Sequence, residues 1–378
     1  MKYCKNCILP DTRPGVELNK DGICLACVGA KEKIESIDWK AREKDLLEIF
    51  ESHKSKGRSY DCIVPVSGGK DSHWQVHTVL KYGLKPLALT YKFHCRTELG
   101  SENLQNLISL GVDHIDFTVN PKVEKKFMLK ALKKNGTPSL IQHMAVWGIV
   151  LKMAVKLGIP LVVWGENSAL EYGGNKKERE NFSLDHEWIK TYGVTNATLA
   201  QDWVDENITS DELHPYTLPS AEELRGAKIQ SIFLGWYLPW DPLMSAKIAR
   251  SLGLKWADKP ILGYYPFSDL DSDFIVIHHF FKWYKFGMTR LWDNLAIEIR
   301  NKRMTRDEAL KYIEDNPELL PLKQIKSLCA FLEITEERFW EIVESHRNLD
   351  IWKKDDAGQW YLPGLVNEFG KMVEVNRA

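Results

Sequence analysis

The chain has 378 residues, 51 basic and 52 acidic side chains and a formal net charge of −1, so its length points to two folding units, or three with a short metal module, and its charge excludes a global field that would gather nucleic acid or an anionic membrane. Met1-Lys2-Tyr3-Cys4 opens without an apolar signal region, and no window holds the roughly 18 uninterrupted apolar residues of a membrane span. A soluble, cytoplasmic protein without membrane contact is expected.

Four of the seven cysteines fall in the first thirty residues, as Cys4-x2-Cys7 and Cys24-x2-Cys27. Asn19-Lys20-Asp21-Gly22 between them reads as a hairpin turn that lets both pairs converge tetrahedrally on zinc. Four thiolates leave no open coordination position, so such a metal holds a fold and does not catalyse. Disulfides are disfavoured in the cytosol, and an iron–sulfur centre stays open as an alternative. Residues 1–30 are therefore expected to form a zinc-binding module, followed by a charged helical linker over 31–60 whose helix ends near Lys56.

Asp61-Cys62-Ile63-Val64-Pro65-Val66 is a nearly continuous apolar run, as a strand buried on both faces requires, with Pro65 placed at its end because proline cannot donate to a ladder. From Ser72 onward Val76, Val79, Leu80 and Leu84 recur at helical spacing. Strands over Pro86–Tyr91, His114–Val119 and Pro160–Gly165 alternate with helices over Ser101–Leu110, Lys122–Asn135 and Ser139–Leu157. Strands separated by helices predict an α/β, doubly wound parallel sheet over 61–260, with ligands beyond the carboxyl ends of the strands, where the loops after Val66 and Val163 lie. Residues 261–378 are expected to be mainly helical and to contribute to substrate binding.

The loop Ser67-Gly68-Gly69-Lys70-Asp71-Ser72 stands where an anion belongs. Its glycines let backbone approach a phosphate, Ser67 and Ser72 offer hydroxyls, Lys70 a cation and Asp71 an anchor for magnesium. It lacks the longer Gly-x4-Gly-Lys-Ser/Thr form, so γ-phosphate transfer is not the chemistry expected. Gly165-Glu166-Asn167 ends a strand on the same rim, where it reads either as a magnesium, ribose or acceptor contact or as a plain strand-terminal turn. Arg300, Lys302, Arg303 and Arg306 suit a sugar nucleotide's diphosphate, but Thr305-x2-Glu308 is also a capping box that would leave them solvated around a helix start. The lysines from Lys122 to Lys134 read as a solvated face, and the aromatics from Phe274 to Phe286 as packing.

Ser-Gly-Gly-Lys-Asp-Ser resembles the PP-loop of the N-type ATP pyrophosphatases, of adenine nucleotide alpha hydrolase-like fold. Over most of its length the chain resembles the N-acetyl sugar amidotransferases of the WbpG and PseA type. The resemblance rests on Cys4-x2-Cys-Ile-Leu-Pro-Asp-Thr-Arg-Pro-Gly15, on Asp21-Gly22-Ile23-Cys24-x2-Cys27 and on the PP-loop. It continues through Trp164-Gly165-Glu166-Asn167, Glu171-Tyr172-Gly173-Gly174, Lys285-Phe286-Gly287-x2-Arg290 and Glu298-Ile299-Arg300-x2-Arg303-Met304-Thr305-Arg306.

The resemblance implies that ATP and Mg2+ are used to adenylate the acetamido oxygen of a nucleotide-activated sugar, that pyrophosphate leaves into the loop, and that ammonia then gives an acetamidino group and AMP, in bacterial surface-polysaccharide (LPS O-antigen or nonulosonate) biosynthesis. Lys70, Asp71 and Glu166 are the expected catalytic residues, Ser67, Gly68, Gly69, Ser72, Gly165 and Asn167 further contacts to ATP or pyrophosphate, and Lys285, Arg290, Arg300, Arg303 and Arg306 the substrate contacts. Residue 2 is Lys and none of Cys62, Cys95 and Cys329 lies in a Gly-x-Cys-x-Gly turn, so no glutaminase is recognisable. Related systems pair with separate glutaminase and barrel subunits resembling imidazole glycerol-phosphate synthase, which implies such an ammonia-supplying partner here. A tRNA thiolase is the alternative, kept open by Cys62 and Cys95 but disfavoured because no Cys-x2-Cys follows Cys27 and the net charge does not suit tRNA.

Overall fold

The computed structural model describes residues 1–54, 57–173, 184 and 186–370; Lys56 and Gly174 fall outside them. The central sheet contains β1 (Cys62–Pro65), β2 (Pro86–Tyr91), β3 (Asp113–Phe117), β4 (Leu161–Trp164) and β5 (Gln230–Phe233), in the order β3-β2-β1-β4-β5 with all pairs parallel. Pro65 ends β1 opposite Leu89, and the ladder resumes through the Val66 amide, which donates to the Leu89 carbonyl at 2.9 Å. β5 has no counterpart in the sequence reading. Gln-Ser-Ile-Phe carries only two aliphatic or aromatic residues, and its partner β4 supplies what its own pattern lacks.

Helices cover both faces, as right-handed crossovers between parallel strands demand. Cys62 and Val64 of β1 and Leu161 and Val163 of β4 pack against α2 (Trp39–His53), α3 (Lys70–Lys81) and α4 (Glu98–Ile108). Ile63, Val162 and Trp164 point the other way, onto α5 (Pro121–Asn135) and α6 (Leu140–Leu157). α6 has the length and hydropathy of a membrane span, yet Leu140, Ile141, Met144, Ala145, Ile149 and Leu151 are core residues against this sheet. The lysines of α5 are a paired outer face: Lys125, Lys126 and Lys130 meet Glu333, Glu212 and Asp205 at 2.5, 2.8 and 2.6 Å.

The carboxyl-terminal helices do not stand apart. Phe274, Ile277, Phe280 and Phe281 of the helix Asp273–Phe286, with Ile325, Leu328 and Phe339, share one core with the α5 and α6 face of the sheet. The cysteine segment, continued by α1 (Leu25–Glu35), shares a second core with Trp283, Met288, Leu291, Trp292, Leu295 and Trp352. The chain is thus an α/β sheet with an amino-terminal cysteine module and a helical carboxyl-terminal region, and the last of these joins the other two.

Gly148 in α6 tests this packing. Alanine is favoured over glycine in a helix interior by about 1 kcal/mol. A Cβ at Gly148, however, would lie 2.6 Å from the Thr217 carbonyl and 2.7 Å from that of Pro215. Backbone oxygens cannot step aside like a side-chain end, so Gly148→Ala is expected to destabilise by about 1–3 kcal/mol, read as a lower denaturation midpoint at unchanged slope.

Candidate active site

Strand order reverses between β1 and β4, and the loops leaving these two strands face a cavity of about 190 Å3. Residues Ser67 to Asp71 form its floor. α2, α4, α5 and α7 (Ser168–Tyr172) are each closed by a capping side chain, Asp38, Thr97, Asn120 and Asn167. α3 is not: its N-cap is Gly69, with no side-chain acceptor for the first-turn amides. An uncapped helix start at the carboxyl end of a central strand is an anion site by both hydrogen bonding and dipole. Gly68 adopts φ +93°, and a Cβ there would sit 2.8 Å from the Leu104 amide nitrogen, so the loop is pressed onto α4 and only glycine fits.

The Ser67 amide donates to Ser72 Oγ at 2.9 Å and the Gly69 amide to Ser67 Oγ at 3.3 Å. Ser72 is buried, so its hydroxyl closes the loop instead of lining the cavity. Lys70 pairs with one oxygen of Asp71, and Trp240 Nε1 donates to the other at 2.8 Å. Glu166 faces them across the cavity; burial and then the neighbouring Asp71 push its carboxyl up to about 7, against the pull of Lys70.

The carboxyl-terminal region supplies the opposite wall. Phe267 to Asp271 line it together with Arg290, whose Nε meets Asp269 Oδ2 at 3.3 Å. Gly100 permits this closure, since a Cβ on it would come within 2.6 Å of Asp271 Cα. His279 meets Asp269 Oδ1 at 3.4 Å and is held neutral, its pKa lowered to about 4 by burial and then by Arg290 and Lys282.

Of the residues marked in the sequence, Ser67, Gly68, Gly69, Lys70, Asp71, Glu166 and Arg290 converge on this cavity. The others have different work. Gly165 accepts the Gly235 amide at 3.0 Å through its carbonyl, and Asn167 caps α7 through the Ala169 and Leu170 amides at 3.0 and 3.3 Å. Lys285 donates to the Asn135 carbonyl at 2.6 Å, away from the cavity. Arg303 is held by Glu298 at 2.7 Å and Asp241 at 2.8 Å, and Arg306 binds the Cys7 carbonyl at 3.1 Å and Glu368 at 2.7 Å. Arg300 is buried behind α7 and donates to the Glu171 carbonyl at 3.4 Å. The arginine cluster therefore joins the cysteine module and α7 to the helical region, with the Thr305 capping box formed among it. Sequence spacing passed over Tyr172, Trp240, Asp269 and Asp271 as site residues; the acidic pair in Ser268-Asp-Leu-Asp271 was its only visible trace.

The four amino-terminal cysteines are buried and unpaired by disulfides. Their ligand sulfurs all lie within 4.8 Å of one another, with Cys4 to Cys27 at 3.9 Å and Cys7 to Cys24 at 3.7 Å. Thiolates bound about 2.3 Å from one tetrahedral ion stand about 3.8 Å apart, so the set fits a single zinc and leaves no room for a polynuclear iron–sulfur cluster. The Cys7 and Cys24 amides donate to Cys4 Sγ at 3.4 and 3.2 Å, as expected when that sulfur is a thiolate. Among the described residues this is the only group of three or more His, Cys, Asp or Glu side chains so convergent. The cavity's carboxylates thus form no ready magnesium cage.

The fold and the cavity define an α/β protein with a phosphate-type loop at the topological switch point of its sheet, walled on the far side by a helical carboxyl-terminal region. That region has a counterpart among known families. Residues 264–364 match the family model described as LPS biosynthesis protein WbpG-like, C-terminal domain. No curated protein matches it. Matching solved structures include the NMN synthetase from Francisella tularensis, at 13% identity and a TM-score of 0.26, covering 60% of this chain and 99% of that one.

Metal analysis of protein purified without chelator is expected to give one zinc per chain. Cys24→Ser is expected to release it and to loosen the amino-terminal module, because metal affinity there is folding free energy; full zinc retention by that variant, or an iron–sulfur absorption spectrum, contradicts the assignment.

Proposed function

We propose that the chain is an ATP-dependent amidotransferase that adenylates the acetamido oxygen of a nucleotide-activated sugar and exchanges that oxygen for ammonia, in bacterial surface-polysaccharide biosynthesis in the cytoplasm. The observation that carries the reading is the open start of α3 above Ser67–Asp71, facing Asp269 to Asp271 and Arg290 of the WbpG-like region across one cavity. The loop binds the β- and γ-phosphates through its amides and Lys70, and the acceptor lies against the far wall. The acetamido oxygen attacks the α-phosphorus, and the bond to the bridging oxygen breaks with pyrophosphate as leaving group. Ammonia adds to the imidoyl carbon, loses a proton, and AMP departs with the former amide oxygen. Activation is needed because hydroxide leaves an amide carbon poorly and AMP leaves it well.

Asp71 is the residue that would hold magnesium, whose charge would offset that of the phosphates. Hard cations of this kind are held by one or two carboxylates and the substrate's phosphates, which agrees with a cavity that has no cage of its own. Glu166, ionising near pH 7, is placed to take the proton shed by ammonia. Zinc, at the four cysteines, has no place in the chemistry.

Ammonia has to come from outside this chain. Burial pushes Cys95 up to about 12 and Cys329 up to about 11, and Cys62 is raised as well inside β1, so none is a thiolate at neutral pH. The same inertness counts against a tRNA thiolase. Separate glutaminase and barrel subunits resembling imidazole glycerol-phosphate synthase are the partner we propose.

With ATP, ammonium and a nucleotide sugar, the protein is expected to form AMP and a product lighter by the difference between O and NH; glutamine alone is expected to give none, and glutamine plus the partner to restore it. Asp71→Asn and Ser67→Ala are each expected to lower AMP formation by about 100-fold or more at unchanged melting temperature, and full turnover in both removes the reading.

The pH dependence has a definite sign. A carboxyl held up to about 7 is mostly protonated below that pH and becomes a base as pH rises through it. At a fixed concentration of free ammonia, AMP formation at low substrate concentration should therefore fall on the acid side of about 7, and Glu166→Gln should abolish that limb together with most of the rate. An unchanged acid limb in Glu166→Gln assigns the titration elsewhere.

A further inference from the structure

Trp240 lies outside every motif that the sequence singles out, yet it holds the Asp71 oxygen that Lys70 does not. Its indole N–H donates to Asp71 Oδ1 at 2.8 Å, and the ring is 3% exposed. An indole nitrogen is a donor only, so a buried tryptophan of this kind needs an acceptor, and here it is a carboxylate. The backbone of Trp240 is held as firmly. Its carbonyl accepts Lys33 Nζ at 2.5 Å, and Lys33 is paired with Glu171 at 2.6 Å. The next residue, Asp241, caps the helix Pro242–Ser251 through the Met244 amide at 2.8 Å and is bound by Arg303 at 2.8 Å. Lys33 belongs to α1, whose first turn carries Cys27, so the grip on Trp240 comes from the cysteine module.

We propose that Trp240 is a positioning residue for magnesium: it locks Asp71 by Oδ1 and so aims Oδ2 at the place where metal and phosphates meet. This rests on the reading of the loop as an ATP site. In the present structure Lys70 covers Oδ2, and its ammonium also lies 5.5 Å from the centre of the Trp240 ring. The polyphosphate of ATP carries more charge than one carboxylate and competes for Lys70. Once Lys70 turns to the phosphates, Oδ2 is free, and Trp240, anchored at both ends, keeps the carboxylate from turning after it. Magnesium demands near-ideal octahedral geometry, so a carboxylate free to rotate binds it poorly. The module held by the cysteines thereby reaches the site through Lys33, Trp240 and Asp71, without any ligand of its own there.

The test separates the lost N–H from the lost ring. Calorimetry with α,β-methylene ATP, which cannot be split between its α- and β-phosphorus, is run with and without magnesium on the full chain and on Trp240→Phe. The wild type is expected to bind the analogue more tightly with magnesium. In Trp240→Phe the metal-free affinity should stay within about twofold, while the gain from magnesium falls by about tenfold, at unchanged zinc content and melting temperature. A full magnesium gain in the folded variant overturns the inference and leaves the ATP site standing; no nucleotide binding by the wild type in either condition removes the ATP reading itself. Where Trp240→Phe does not fold, the indole N–H signals of the fourteen tryptophans serve instead. One exchange-protected signal is expected to move in Asp71→Asn, and again on adding magnesium and the analogue to wild type; no indole signal responding to Asp71→Asn overturns the inference equally.

Discussion

Everything in the cavity depends on the close approach of Gly68 to α4. With its Cβ position 2.8 Å from the Leu104 amide nitrogen and its φ at +93°, this residue is held between two backbones that no other side chain could separate without moving one of them. That contact turns the chain sharply after β1, so that Lys70 starts a helix with nothing above its first amides. A serine or aspartate at Gly69 would have satisfied the helix start and given up the anion site. Local stability is forgone there, and on the proposed reading an outside ligand supplies the missing acceptors.

The charges around the cavity follow the same logic. Among the described residues, Asp71, Glu166, Asp269 and Asp271 line it with only Lys70 and Arg290 in opposition, and burial raises both Glu166 and Asp271. A site so rich in carboxylates would repel a bare polyphosphate and suits one that arrives with a divalent cation. Asp269 keeps its charge because Arg290 and His279 flank it, overcoming its burial, and it sits in the left-handed region at φ +59°, which aspartate tolerates better than most residues.

What the sequence disclosed was whatever is local. The apolar runs at Asp61–Val66 and Pro86–Tyr91, the helical spacing after Ser72 and the two Cys-x2-Cys pairs each declare themselves within a few residues, and the structure has the elements there, with β1 kept to Cys62–Pro65, α3 ending at Lys81 so that Leu84 lies beyond it, and α4 beginning three residues earlier, where Thr97 caps it. What stayed hidden is what distant segments do to one another. β5 is a strand because β4 offers it an edge. Arg303 and Arg306 read as anion contacts because a cluster of guanidinium groups looks alike whether it faces a diphosphate or Glu298, Asp241, Glu368 and a carbonyl of Cys7. Trp240 reached Asp71 across 169 positions of sequence, which no pattern records.

The cysteine module packs on surfaces made by Trp283 to Leu295 and by Ile351 to Leu365, with Met1 itself against Gly364. In synthesis those partners emerge much later. The four thiols are made well before those surfaces, and for that interval only the segment's own Tyr3, Ile8, Leu9, Val16 and Ala26 can cover them. Capture of a metal ion at that stage would give the cysteine segment a fixed shape while it waits, protect its sulfurs from oxidation, and leave the docking of the later helices as the step that completes its core.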